Sequence, residues 1–190
     1  MITAILLAAG ASTRTTTPKQ LYRIGGIPLV VHQIEALLAG GADQVIVVIG
    51  YHAEAVRAAV GERENLCIVQ NPAPKKGMFS SLCAALGKSP SEGKLLIHPL
   101  DVPLAALLVK RMDALDAPII IPVYEGRSGH PVLIDAALAQ TIPSSGVERL
   151  DRWLEAHRES TVMIPVDDPN ILYNANTDAD LAHLFPSETR

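Results

Sequence analysis

The sequence predicts an α/β domain of three layers, in which helices cover both faces of a mostly parallel sheet. Short apolar runs that are typical of strands buried on both faces alternate with segments whose apolar residues recur at helical spacing. The first five elements follow the order β-α-β-α-β, which is typical of a parallel sheet wound with helices. The 190 residues contain no repeat, low-complexity tract or linker, so a single domain over 1–190 is expected.

The first half of the chain supplies three predicted strands with helices between them. Residues 2–9 form an apolar run and predict a strand that is buried on both faces. Residues 29–38 have apolar positions at helical spacing, and Gly40 and Gly41 favour a helix end after them. The next elements are predicted as a strand, a helix and a strand over 44–49, 53–60 and 66–69.

The second half continues the alternation after a loop rich in proline, lysine and glycine at 71–77. Helices are predicted over 78–87, 104–115, 136–141, 147–157 and 177–185. Strands are predicted over 94–98, 118–123, 131–134, 162–166 and 171–173. Residues 186–190 are expected to form a tail.

Composition excludes several classes of protein. Hydrophobic residues make up 48% of the chain and charged residues 19%, which excludes disorder. The net charge of −4 argues against broad nucleic-acid binding, and no apolar run approaches the roughly 18 residues of a membrane span. Cys67 and Cys83 match no metal or redox spacing and are expected to be buried free thiols, so we expect a cytoplasmic protein.

A predicted phosphate-binding loop follows the first strand. The strand runs into small residues at 8–12, which leave backbone N–H groups uncovered, and Arg14 and Lys19 then supply positive charge. The spacing matches neither G-x-G-x-x-G nor G-x-x-x-x-G-K-[ST]. The missing dinucleotide fingerprint argues against a dinucleotide-dependent oxidoreductase. The loop therefore predicts a polyphosphate ligand.

Two other predicted strands also end in polar residues. In a parallel sheet, ligands bind outside the carboxyl ends of the strands. Asn71 follows the third strand and can both donate to and accept from a base or ribose, while Ser80 and Ser81 fall in the first turn of a helix, which favours an anion. Asp101 follows the strand over 94–98 and is either a helix cap or a magnesium ligand. His98 is expected to be an ordinary residue at a strand end.

The loop resembles the L-A-A-G-x-S-x-R-(four residues)-K signature of the MobA-like nucleotidyltransferases. Within that family the chain is most similar to the molybdenum cofactor cytidylyltransferases, and the resemblance is strong over 5–19 and 71–103. It implies a Rossmann-like sheet of the nucleotide-diphospho-sugar transferase type. Residues 129–133 resemble the family's G-x-P-V-L segment, which faces the acceptor substrate.

The resemblance also implies residue roles. Asp101 would bind the Mg²⁺ that bridges nucleotide and acceptor, and Asn176 would complete the metal site. Arg14 and Lys19 would bind the leaving phosphates, so Asp101, Lys19 and Arg14 are the expected catalytic residues. The expected nucleotide-binding residues are Leu7, Ala8, Ala9, Gly10, Arg14, Lys19, Asn71, Ser80 and Ser81.

The implied reaction is transfer of CMP from CTP to a phosphate-bearing acceptor such as molybdopterin, with release of pyrophosphate. Partners are then an NTP and a phosphorylated small molecule, without nucleic acid or membrane, and a monomer is expected. Two alternatives stay open. One is a cytidylyl-, uridylyl- or guanylyltransferase that acts on a sugar 1-phosphate or alditol phosphate. The other is a non-catalytic nucleotide-binding module.

Five positions depart from the family pattern. Thr15 and Thr16 replace the usual Met-Gly after the loop arginine. Asn174 and Asn176 stand where the cytidylyltransferases tend to have aspartate, which leaves less negative charge for Mg²⁺. Asp178 stands where proline is usual and could restore that charge.

Overall fold

The computed structural model describes residues 1–186, which form a mixed sheet of eight strands, a separate two-stranded ribbon and seven α-helices. The strands are β1 (Ile2–Leu7), β2 (Arg23–Ile24), β3 (Ile27–Pro28), β4 (Gln44–Ile49), β5 (Leu66–Gln70), β6 (Lys94–Pro99), β7 (Ile119–Tyr124), β8 (Arg127–Ser128), β9 (Val132–Asp135) and β10 (Thr161–Pro165). The helices are α1 (Leu29–Ala39), α2 (Ala53–Val60), α3 (Met78–Leu86), α4 (Ala106–Asp113), α5 (Ala136–Ala139), α6 (Leu150–Ala156) and α7 (Asp178–Leu184).

Strand β1 lies in the middle of the sheet, whose order is β10-β7-β9-β6-β1-β4-β5. It pairs in parallel with β4 on one side and with β6 on the other, so that Leu7 lies opposite both Val48 and Pro99. Strand β9 runs antiparallel to β6 and β7, and β8 pairs antiparallel with β7. The carboxyl ends of β1, β4, β5 and β6 therefore meet at one edge of the sheet, which is where a ligand is expected in such folds.

The core divides into two clusters, one on each face of the sheet. Along β1, Ala4 and Leu6 pack into one cluster and Ile5 into the other, because successive side chains of a strand point to opposite faces. Helices α1, α2, α4 and α7 cover the first face, and α3, α5 and α6 cover the second. Burial of one such leucine or isoleucine contributes about 1.5–3 kcal/mol. The predicted three-layer α/β/α class is confirmed.

Several sequence-based boundaries differ from the structure. The strand predicted over 171–173 is wrong: these residues belong to a short 3₁₀ helix, Pro169–Leu172, and its following residue. The carboxylate of Asp168 accepts a hydrogen bond from the N–H of Asn170 at 2.9 Å, and Pro169 suits the first helical position, so the local chemistry favours a helical turn. The predicted tail lies, apart from residue 186, outside the described residues.

The prediction of two buried thiols is wrong for Cys67. Strand β5 is the edge of the sheet, and its Cys67 side chain is exposed, whereas Cys83 on α3 is half-buried. Burial raises the pKa of the Cys83 thiol. Over residues 1–186, every helix is too short or too polar to cross a membrane.

Candidate active site

The base of the phosphate loop is fixed by a buried glutamine. Gln20 donates from Nε2 to the carbonyl oxygens of Ala8 and Gly10, both at 2.8 Å, and its Oε1 accepts from the hydroxyl of Ser12 at 3.1 Å. The N–H of Lys19 donates to the same hydroxyl at 3.0 Å. The sequence pattern did not predict this role, although Gln20 directly follows the lysine of the loop signature. The two ends of the loop are therefore held together, and residues 13–18 between them form a largely exposed segment that we call its tip.

The glycine of the loop provides space rather than an unusual backbone conformation. The left-handed residue is Ser12, with φ of 54°, and a Cβ placed on Gly10 would meet no atom within 4 Å. At the neighbouring end of β4, Gly50 approaches the loop closely: a Cβ there would lie 2.9 Å from both the carbonyl oxygen of Ala9 and the Cβ of Pro74. Gly10 thus leaves the cleft open where a ligand would contact the backbone.

Asp101 follows β6 and contacts the loop directly. The ammonium of Lys19 lies 2.6 Å from Oδ2 of Asp101, and Nδ2 of Asn174 donates to Oδ1 at 3.0 Å. The two charged side chains are 14% and 21% exposed, so the pair is only partly screened by water. The turn that carries Asp101 is held by Gln33, whose buried amide donates to the carbonyl oxygens of the residues on either side, Leu100 and Val102.

Arg14 extends the same network. Its Nη2 donates to Oδ1 of Asn176 at 2.7 Å, and the ammonium of Lys19 lies 3.4 Å from that oxygen. One amide oxygen therefore accepts from both cations of the loop, and residues more than 150 positions apart in sequence form a single cluster. The structure brings together all three residues that the resemblance implies are catalytic, Arg14, Lys19 and Asp101, together with Asn176.

The predicted nucleotide-binding residues Asn71, Ser80 and Ser81 contact one another at the start of α3. Asn71 is buried, donates to the hydroxyls of Ser80 and Ser81 at 2.9 Å each, and accepts from the N–H of Ala73 at 2.8 Å. Ser81 lines the first cavity, whereas Asn71 and Ser80 do not. Asn71 therefore fixes the start of α3, and its contact with a nucleotide stays a prediction.

Two cavities meet at this edge of the sheet. The first, of about 410 Å³, is lined by Ser81 and by every predicted residue of the loop and the Asp101 cluster: Leu7, Ala8, Ala9, Gly10, Arg14, Lys19, Asp101 and Asn176. The second, of about 530 Å³, has a largely apolar wall that includes Phe79, Leu82, Val132 and Leu154. Leu7, Gly77 and Met78 line both cavities, so the two lie side by side.

Two histidines lie near Asp101, and the sequence analysis singled out neither as a ligand. His98 is fully buried and its Nε2 contacts the carbonyl oxygen of Val102 at 3.0 Å. Burial lowers its pKa from 6.5 to about 3, with the nearby His130 adding in the same direction. His130 lines the second cavity, and burial lowers its pKa as well, partly offset by the negative charge of Asp101.

The donor set suits a hard divalent cation. Within residues 1–186, no group of three His, Cys, Asp or Glu side chains could hold a metal ion. Asp101 supplies one carboxylate and Asn176 one amide oxygen, and Mg²⁺ is typically bound by one or two carboxylates together with water and substrate phosphates. Asp178 does not add to this set, because it does not line the first cavity and both its carboxylate oxygens face Thr16.

The fold and the site define the class of the protein. The predicted phosphate loop, two cations and a carboxylate lie at the carboxyl ends of parallel strands, beside a second cavity, and this arrangement suits a nucleotidyltransferase. A family model described as the MobA-like NTP transferase domain matches residues 4–162. The chain therefore belongs to the MobA-like NTP transferase family.

Relatives and solved structures agree with this assignment. The nicotine blue oxidoreductase of Paenarthrobacter nicotinovorans is 32% identical over 160 residues, which are 76% of each chain. The bifunctional protein GlmU of Heliobacterium modesticaldum is 46% identical over 63 residues, 32% of this chain and only 14% of GlmU. A nucleotidyl transferase from Methanothermobacter has the same fold, with a TM-score of 0.83 and 20% identity over 97% of this chain and 96% of the other. Rv0371c from Mycobacterium tuberculosis H37Rv also gives a TM-score of 0.83, with 25% identity over 98% of both chains.

Proposed function

We propose that the protein transfers CMP from CTP to a phosphate-bearing small molecule, such as molybdopterin, and releases pyrophosphate in a Mg²⁺-dependent reaction. One observation carries the proposal: the cluster of Arg14, Lys19 and Asp101 lies on the first cavity, which adjoins the second. A nucleotide and an acceptor bound in the two cavities would thus bring their phosphates together beside these three side chains.

The reaction needs little covalent chemistry from the protein. An ionised phosphate oxygen of the acceptor attacks the α-phosphorus of the nucleotide, the new P–O bond forms, and the bond from the α-phosphorus to the bridging oxygen breaks. The acceptor phosphate is already ionised at neutral pH, so no general base is required. Arg14 and Lys19 bind the β- and γ-phosphates and stabilise the charge that develops on pyrophosphate.

A divalent ion would be held by Asp101 and Asn176 and would neutralise the reacting phosphates. Both oxygens now accept hydrogen bonds from Lys19, which must therefore turn away when an ion binds. Rv0371c has also been solved as a complex with manganese, which supports a divalent ion in this fold. We propose Mg²⁺ as the resident ion.

The acceptor would occupy the second cavity. Its apolar wall suits a flat ring system, and its polar groups include His130, Lys76 and Arg149. Arg149 is paired with Asp151 through two hydrogen bonds of 2.9 and 2.7 Å, so it presents less free charge than the sequence indicates. A sugar 1-phosphate or alditol phosphate stays the alternative acceptor; the apolar wall favours the ring system.

A second candidate function is an oxidoreductase activity at the same site. It is favoured by the relative from Paenarthrobacter, which is 32% identical to this chain and is named as an oxidoreductase. A non-catalytic nucleotide-binding module is the other alternative from the sequence. The expectations of a monomer, of a cytoplasmic location and of one domain over 1–190 stay predictions.

The test is a pyrophosphate-release assay with Mg²⁺, each of the four NTPs, and either molybdopterin or a panel of sugar and alditol phosphates. We expect release with CTP and molybdopterin only when both are present. Release with another nucleotide or with a sugar phosphate would overturn the proposed substrates, and binding of CTP without release in any pairing would favour the binding module. A parallel arm that monitors oxidation of NADH or NADPH with the acceptor panel detects the oxidoreductase alternative.

A further inference from the structure

Two positions that depart from the family pattern contact each other. The N–H of Thr16 donates to both carboxylate oxygens of Asp178, at 3.2 and 3.1 Å, and its hydroxyl donates to Oδ2 at 2.7 Å. Thr16 lies in the tip of the phosphate loop, and Asp178 is the first residue of α7, 162 positions away. Neither lines the first cavity.

We propose that the contact between Thr16 and Asp178 positions the tip of the phosphate loop so that Arg14 is presented to the nucleotide. This inference rests on the proposed function, in which Arg14 binds the triphosphate. Thr16 and Asp178 are positioning residues, because they act through Arg14 and touch no substrate.

The C-terminal partner of the contact is well fixed. Thr177 and Asp180 form a capping box at the start of α7: the hydroxyl of Thr177 accepts from the N–H of Asp180, and Asp180 accepts from the N–H groups of Asn176 and Thr177. These hydrogen bonds, above all the one with Thr177, lower the pKa of the Asp180 carboxyl. Asn176 and Asp178 are therefore held in place independently of the loop.

The loop side has fewer supports of its own. Gln20 and Ser12 fasten its base, and Thr15 donates from its N–H and its hydroxyl to the carbonyl oxygen of Ser12. His52 contacts the carbonyl oxygen of Ala11 at 3.3 Å. Over residues 13–18, the side-chain hydrogen bonds to other parts of residues 1–186 are those of Arg14 with Asn176 and of Thr16 with Asp178. The two links differ in what happens on binding. In the proposed function Arg14 shares its guanidinium between Asn176 and a phosphate, which weakens its link to Asn176, whereas Thr16 keeps its partner.

The contact therefore keeps the loop docked while its cations exchange partners. Without the contact between Thr16 and Asp178, the tip is no longer fastened to α7 when Arg14 binds the nucleotide. The loop must then be ordered on binding, and the entropy lost in ordering it weakens nucleotide affinity. The effect is expected on nucleotide affinity more than on the chemical step.

The test is a double-mutant cycle with Thr16→Val and Asp178→Ala, read out as the dissociation constant of CTP in the absence of acceptor. We expect each single variant to weaken CTP binding about three- to ten-fold, and the double variant to be no weaker than the poorer single variant. Thr16→Ser keeps the hydroxyl and should restore normal binding. Thr17→Val is the matched control, because Thr17 is exposed in the same loop and makes no side-chain hydrogen bond within residues 1–186.

A second readout does not depend on turnover or on the identity of the nucleotide. Hydrogen exchange of the free protein over residues 13–18 should be faster in Asp178→Ala than in the wild type, because the N–H of Thr16 loses its acceptor. Additive effects on CTP affinity, or unchanged exchange in Asp178→Ala, would overturn the inference. Faster exchange without any CTP binding by the wild type would instead count against the proposed function while leaving the contact itself in place.

Discussion

Replacement of Lys19 by methionine should change metal affinity and nucleotide affinity in opposite directions. In the free protein the Lys19 ammonium lies 2.6 Å from Asp101, and both side chains are less than a quarter exposed. A hydrogen bond between charged groups contributes about 1.5–3 kcal/mol. A metal ion that binds Asp101 must displace this bond, so its removal should tighten metal binding in the absence of nucleotide by about ten-fold or more.

The same substitution removes a phosphate ligand. If Lys19 binds the β- and γ-phosphates, Lys19→Met should weaken the binding of pyrophosphate by about ten-fold or more. Methionine fills a similar volume, which limits effects on packing.

The two affinities are measured separately. Free Mn²⁺ is followed by electron paramagnetic resonance as protein is titrated without nucleotide, and pyrophosphate binding is followed by calorimetry without metal. Lys88→Met is the matched control, because Lys88 is exposed and lines neither cavity. If Lys19→Met lowers both affinities or leaves Mn²⁺ binding unchanged, Lys19 does not compete with a metal ion for Asp101.

Three further predictions follow from the same contacts. Asp101→Asn should lower turnover at least a hundred-fold, because in the proposed reaction this carboxylate holds the divalent ion that neutralises the reacting phosphates. The dissociation constant of CTP, measured without metal, should change by less than about five-fold, because Asp101 itself binds no phosphate. The pKa of His98 is about 3 in the folded protein and 6.5 for an ordinary histidine, as in the unfolded chain. As pH drops below 6.5, the unfolded chain therefore binds a proton before the folded protein does, and the free energy of unfolding should fall. The loss at pH 5 is about 2 kcal/mol in urea unfolding, and His98→Gln should remove that part of the pH dependence. Gln20→Met should lower the free energy of unfolding by about 2 kcal/mol in the same assay, because the carbonyl oxygens of Ala8 and Gly10 lose their donors, whereas the exposed control Gln70→Met should not.

The order of the elements could be predicted from sequence because it depends on local periodicity. The apolar run that became β1 and the helical spacing of α1 each indicated the right element. Residues 171–173 were misjudged because an apolar pair beside a tyrosine resembles a strand, while the capping carboxylate of Asp168 acts through the backbone conformation. Cys67 was misjudged because burial on an edge strand depends on which strands and helices cover it, and this is a property of the whole sheet.

The site was predictable where its residues lie in segments that follow neighbouring strands and that resemble the family signature. Arg14, Lys19 and Asp101 could be proposed together because carboxyl ends of neighbouring parallel strands converge, and the structure brings them within hydrogen-bonding distance of one another or of Asn176. The contact between Thr16 and Asp178 could not, because each residue alone is only a polar departure from the family pattern. Their pairing depends on how α7 packs beside the loop.

The most direct test of the account follows the two ends of the triphosphate separately. CTP labelled with ³²P at either the α- or the γ-phosphate is incubated with Mg²⁺, the enzyme and molybdopterin, and the products are separated. We expect the α-label in the acceptor and the γ-label in pyrophosphate, with both appearing at least a hundred-fold more slowly with Asp101→Asn. Transfer of the γ-label to the acceptor, or equal transfer by Asp101→Asn, would contradict the proposed reaction.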